Sequence, residues 1–111
     1  QVLLNLIVNA VDAIKDAKKL GIIEKGRIVI ATSRTEQFAV VRVQDNGTGV
    51  PENIRDRIFD PFFTTKDVGK GTGQGLPIAH NIIVQKHGGR FYLDTEYKNG
   101  AAFVIQLPLQ E

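Results

Sequence analysis

The chain has 111 residues, 42% of them hydrophobic and 23% charged, the make-up of one globular domain with a single core. Its net charge of +2 is too slight to indicate nucleic acid, and no Lys/Arg block alternates with aromatics. Having no cysteine, it forms no disulfides or thiolate metal sites. No apolar run approaches the roughly 20 residues of a membrane helix, and no signal peptide is visible. Because Gln1 already stands inside a helical pattern, the expectation is a fragment of a longer protein.

Residues 1–19, QVLLNLIVNAVDAIKDAKK, carry Leu3, Leu6, Ile7, Ala10, Ile14 and Ala17 at helical spacing, which predicts an amphipathic helix ended by Gly21. The β-branched runs 27–34 (RIVIATSR) and 38–45 (FAVVRVQD), linked by TEQ, predict a hairpin. Pro51 opens a short helix, PENIRDRIF, at a position where its missing N–H costs little. Residues 60–75, DPFFTTKDVGKGTGQG, have no period and form a glycine-rich loop. A second helix is expected over 76–87 (LPIAHNIIVQKH), closed by Gly88-Gly89. Two more strands follow, 90–96 and 101–107, joined by the turn YKNG. This order predicts an α+β two-layer sandwich, with a mixed, mostly antiparallel sheet covered on one face by helices.

Chemistry-bearing residues gather in a few places. Asn5, Asn9, Asp12 and Asp16 form a second stripe on the first helix, within roughly 60° of arc at about 100° per residue. A solvated face accounts for Asp16; the amides are less expected there, since asparagine is a mediocre helix former. An amide oxygen suits Mg²⁺, which takes one or two protein groups plus phosphates and water. In strand 38–45, Asp45 shares parity with Ala39, Val41 and Val43, so it points to the apolar side of the sheet. A carboxylate there needs a partner, such as the exocyclic amine of adenine. Gly47 and Gly49 would let the backbone approach a flat ring or take positive φ, although Asp-Asn-Gly is also ordinary turn chemistry. GKGTGQG (69–75) leads into a helix, where free N–H groups and the dipole suit phosphates, with Lys66 and Lys70 adding charge. Its spacing matches neither the dinucleotide fingerprint nor the P-loop.

In this order and spacing, QVLLNLIVNA, DNGTGVP, IFDPFFTTK and GTGQGL resemble the N box, first glycine box, F box and second glycine box of the ATP-binding domain of sensor histidine kinases. The resemblance covers essentially the whole chain and implies the Bergerat-type (GHKL) fold, shared with gyrase, the mismatch-repair ATPases and a heat-shock chaperone family. It implies ATP and Mg²⁺ as cofactors. Asn9 would hold the metal, and Asn5 would orient the phosphate or the acceptor. Asp45 would take the adenine amine, with Gly47 and Gly49 shaping the base pocket. Phe59, Phe62 and Phe63 would hinge and anchor a lid over residues 60–74. Lys66, Lys70, Gly71, Thr72, Gly73, Gly75 and Leu76 would line the phosphates.

The same resemblance marks departures. Many members carry Lys where this chain has Asp12, which moves the burden of charge to Lys66, Lys70 or Mg²⁺. Asn-Ala-Val-Asp-Ala-Ile looks like the nitrogen-regulation-kinase subgroup. Gln74 and Pro77 replace commoner residues. Asn5 stands where the hydrolysing ATPases have Glu, and an amide cannot act as general base. His80 and His87 lack the acidic neighbour of the family's phosphoacceptor and are expected to be helix or surface residues. The expectation is therefore one ATP-binding domain over 1–111, without the preceding strand and the dimerisation and phosphoacceptor helices. Its partners would be ATP/ADP, the dimerisation-phosphoacceptor domain of the same parent and, indirectly, a receiver domain, with no nucleic acid or membrane contact. A cytoplasmic location is implied, the parent's own anchoring being left open. Alternatives on the same fold are an anti-sigma-type serine kinase and a degenerate nucleotide-binding or docking module.

Overall fold

The computed structural model describes residues 2–60 and 75–109. The first helix, α1 (Val2–Lys19), buries Leu6, Ala10 and Ala17 at 2%, 3% and 0% exposure. This strip is narrower than the predicted stripe. Alanines at 10 and 17 let the helix lie close on its neighbours, so Leu3, at the margin, stays 42% exposed. Its C-terminus is closed by the Ile22 N–H on the Ala17 carbonyl (2.9 Å) and the Gly21 N–H on that of Lys18 (3.1 Å). Gly21 has φ 75°, the left-handed conformation this closure requires. Lys18 and Lys19 in the last turn complement the helix dipole.

The strands β1 (Ile28–Arg34), β2 (Phe38–Asp45), β3 (Arg90–Leu93) and β4 (Ala102–Pro108) form a sheet ordered β1-β2-β4-β3, antiparallel throughout. Register places Val43 opposite Phe103 and Val41 opposite Ile105, with Phe91 opposite Ile105 on the far side. These side chains face the helices and pack with Leu6, Ile58, Ala79 and Ile83 into one core. The opposite face, by alternation, carries Arg42, Gln44, Tyr92 and Val104.

Between β2 and the second helix, Glu52–Arg57 coil as a 3-10 helix behind Pro51 (φ −59°), which delivers Ile58 to the core. The predicted helix 76–87 divides into an α-helix, α2 (Gly75–Asn81), and a wider π-helical turn (Ile82–Lys86). It is closed as expected at Gly88, φ 66°. Strand β3 is shorter than predicted because Asp94 turns the chain. Its Oδ1 accepts from the Glu96 N–H at 3.0 Å, an Asx turn that ends the ladder. The predicted loop 60–75 lies almost wholly outside the described residues. Among the described residues no helix is long and apolar enough to cross a membrane.

Leu6 joins α1 to the sheet, so Leu6→Ala should lower unfolding free energy by about 2–5 kcal/mol, read by urea denaturation.

Candidate nucleotide site

Asp45 ends β2 on the helix side of the sheet, where it is 5% exposed. Its Oδ1 accepts the Gly47 N–H at 2.8 Å and, more weakly, the Ala101 N–H at 3.4 Å. Burial pushes its carboxyl above the ordinary value of 3.8, and those two N–H groups pull the other way. The strand pairing extends one residue further, since the Asp45 N–H donates to the Ala101 carbonyl at 2.9 Å. Among the described residues both side-chain bonds fall on Oδ1.

The glycines after Asp45 are required by what they touch. A Cβ on Gly47 would come 2.6 Å from the Ala13 backbone carbon of α1. Asn5, Asn9 and Ala13 are four residues apart and so succeed one another along a single side of α1. The Gly47 contact therefore sets the asparagine side of the helix beside the loop after Asp45. Both asparagines are half-buried there, and Asp16 is exposed. Gly49 has φ 77° and lies against Gly100, to whose carbonyl oxygen a Cβ would come within 3.1 Å.

Phe59 sits in an aromatic group, with ring centroids 4.8 Å from His80, 5.1 Å from Phe91 and 6.5 Å from Phe103. His80 is thus half-buried against Phe59, while His87 is exposed at the end of the π-helical turn. Leu76, on α2, packs against the core. Gly75 opens α2. Phe62, Phe63, Lys66, Lys70, Gly71, Thr72, Gly73 and Gln74 lie outside the described residues. Among the described residues no group of three or more His, Cys, Asp or Glu comes together to hold a metal.

Three contributors escaped sequence reasoning. The Asn46 amide accepts the Arg27 N–H at 2.7 Å and donates to the Lys25 carbonyl at 2.9 Å, tying the segment before β1 to the site. Its signal, the middle of Asp-Asn-Gly, was visible, but its partners are remote in sequence. Ala101 and Tyr97 come from the β3–β4 turn; the Tyr97 hydroxyl donates to the Asp45 carbonyl at 3.3 Å. Nothing in YKNG signals that contact.

With a buried carboxylate bordered by glycine turns and an asparagine-bearing helix laid beside it, the fold is a two-layer α+β sandwich. The sequence profile of the family described as "Histidine kinase-, DNA gyrase B-, and HSP90-like ATPase" matches residues 1–111, and the chain belongs to that family of ATP-binding domains. It is 40% identical over 117 residues to the sensor kinase CckA of Brucella abortus (strain 2308), covering 97% of this chain and 12% of that protein. Among solved structures it resembles the nucleotide-free catalytic domain of histidine kinase ThkA, with TM-score 0.79 and 37% identity over 97% of this chain and 65% of that one. It also resembles full-length ShkA in complex with AMPPNP, with TM-score 0.75 and 29% identity over 96% of this chain and 20% of that one. The chain thus spans a small part of the curated relative's length.

The raised carboxyl of Asp45 has a stability consequence. The folded chain holds that proton more tightly than the unfolded chain, so stability falls as pH climbs from 3.8 through the raised folded value and then levels. Asp45→Asn keeps an oxygen for the Gly47 and Ala101 N–H groups and removes the buried charge. The unliganded variant should therefore melt higher than the parent chain at pH 7. Thermal melts between pH 4 and 8 should show that advantage shrinking toward the acid end.

Proposed function

We propose that this domain binds ATP with Mg²⁺ and, within its parent protein, supplies the γ-phosphoryl group to a histidine on a separate helical domain. The observation that carries this is Asp45: a carboxylate 5% exposed at the end of β2 and fixed on one oxygen by backbone N–H groups. Its other oxygen accepts a hydrogen bond from the adenine amine, and this acceptor distinguishes adenine from bases without that donor. The AMPPNP bound by ShkA supports a nucleotide at this fold's site.

Asn9 is half-buried on the side of α1 that meets the Gly47 loop, which suits an amide oxygen shared between the metal and the nucleotide phosphates. Asn5, one turn earlier, orients the terminal phosphate or its acceptor. The bound metal neutralises phosphate charge. Gly47 and Gly49 admit the base, Phe59 anchors the near end of the lid, and Gly75 and Leu76 border the phosphates. Phe63, Lys66, Lys70, Gly71, Thr72 and Gly73, outside the described residues, are assigned to the same phosphate border by their place in the motifs.

Asn5 supplies no general base for water, which favours transfer to a protein group. In that transfer the bond from γ-phosphorus to the bridging oxygen breaks, leaving ADP, and a bond to an imidazole nitrogen forms. Positioning and charge neutralisation supply most of the catalysis. His80 packs on Phe59 and His87 ends the second helix, and neither is followed by the acidic residue that marks the family's phosphoacceptor. The acceptor therefore stands on the dimerisation-phosphoacceptor domain, and a receiver domain takes the phosphoryl group afterwards. The domain itself touches neither nucleic acid nor membrane and works in the cytoplasm.

Calorimetric titration with ADP, with and without Mg²⁺, tests the site. Asp45→Asn should weaken binding about tenfold or more, the worth of a hydrogen bond to a charged group. Asn9→Ala should remove most of the strengthening by Mg²⁺ while leaving metal-free binding nearly unchanged. Incubated with γ-labelled ATP, the 111-residue chain should stay unlabelled. Undiminished binding by Asp45→Asn, or stable label on the chain, would refute the proposal.

A further inference from the structure

The backbone that carries Asp45 is gripped from the far side of the sheet by the turn between β3 and β4. That turn is itself well held. The Arg42 guanidinium pairs with Asp94 at 2.7 Å and lies 5.7 Å from the centroid of the Tyr97 ring. Asp94 closes the turn on itself, its Oδ1 accepting the Glu96 N–H at 3.0 Å and its carbonyl the Tyr97 N–H at 3.4 Å. Gly100, at φ 152°, lies so close to the Asp45 carbonyl oxygen that a Cβ there would overlap it. From this platform the turn and the first residue after it reach Asp45 at several atoms. The Tyr97 hydroxyl takes its carbonyl oxygen at 3.3 Å, the Ala101 carbonyl takes its N–H at 2.9 Å, and the Ala101 N–H reaches its Oδ1 at 3.4 Å.

We propose that Tyr97 is a positioning residue for base recognition: its hydroxyl, on a ring steadied by Arg42 and Asp94, fixes the peptide plane of Asp45 and thereby the aim of the carboxylate. This rests on the assignment of Asp45 to the adenine amine. Arg42 projects from the face of β2 opposite Val41 and Val43, so Tyr97 acts from behind the sheet and touches no nucleotide. It is half-buried, and removal of its hydroxyl leaves the ring in place under the guanidinium. Fixing a hydrogen-bonding group in advance of binding sharpens selectivity, because a misaimed acceptor loses the bond only to ligands that have the matching donor. The contribution of Tyr97 therefore lies in the preference for a base with an exocyclic amine over one without it.

The test titrates ADP and purine riboside 5′-diphosphate, which lacks that amine, into the 111-residue chain, Tyr97→Phe, Asp94→Asn, their double variant and Asp45→Asn. Tyr97→Phe should weaken ADP by about three- to fivefold, the worth of one neutral hydrogen bond, and leave the analogue within about twofold. Asp94→Asn, which loses the charge that holds Arg42, should narrow the preference in the same direction. The double variant should lose less than the product of the single effects, as expected of groups acting through one contact. Should Tyr97→Phe not fold, Asp94→Asn carries the same test through the turn. Equal weakening of both ligands, or an unchanged preference with only a lower melting temperature, would overturn the inference. If Asp45→Asn keeps the parent chain's preference for ADP, the adenine assignment itself fails. If Asp45→Asn loses the preference and Tyr97→Phe keeps it, only the role of Tyr97 fails.

Discussion

A carboxylate held away from water at the end of β2 constrains most of the elements around it. Burying an unpaired charge is costly, and the chain offsets that cost with backbone N–H groups from Gly47 and Ala101. Those partners in turn fix geometry on both sides. Gly47 must turn back immediately after the strand, against α1, where no side chain fits. Ala101 must arrive beside Asp45 from the other end of the chain, which sets the start of β4 and the shape of the turn before it. One interaction thereby couples the first helix, the central strands and the C-terminal hairpin.

The faces of the sheet divide the work. The helix side carries the core of Leu6, Val43, Phe91, Phe103 and Ile105, and at its rim the carboxylate, the asparagines and the aromatic group around Phe59. The far side holds Arg42, Asp94 and Tyr97, which support that rim without entering it. The Arg42 guanidinium, through its hydrogen bond, holds the Asp94 carboxyl below its ordinary value, and its contribution to stability is present at neutral pH and lost as acid protonates it. Asp45 has the opposite sign: its burial raises its carboxyl and costs the chain stability once it is ionised. A buried carboxylate and an ion pair thus stand back to back across one strand.

Membership of the histidine kinase-, gyrase- and HSP90-like ATPase family places this arrangement among domains that share a nucleotide site and differ in the use made of it. The difference most visible in this chain is Asn5. An amide there cannot take a proton from water, and the chain's histidines are a packed His80 and an exposed His87 at a helix end.

The sequence alone determined the element order, because periods of helix and strand and the glycines at 21 and 88 are local properties of the chain. It also determined the side of the sheet on which Asp45 lies, since alternation along β2 leaves no choice. Motif order carried the family, which the profile match bears out. Local pattern misjudged smaller matters. Leu3 matched the helical period yet sits at the margin of the contact, and β3 stops at Leu93 because the Asp94 side chain closes a turn on the backbone. Only the tertiary structure decided that Ala101 and Tyr97 hold Asp45 and that Asn46 ties down the segment before β1. Those bonds join residues far apart in the chain, and they form only once register has brought the strand ends together.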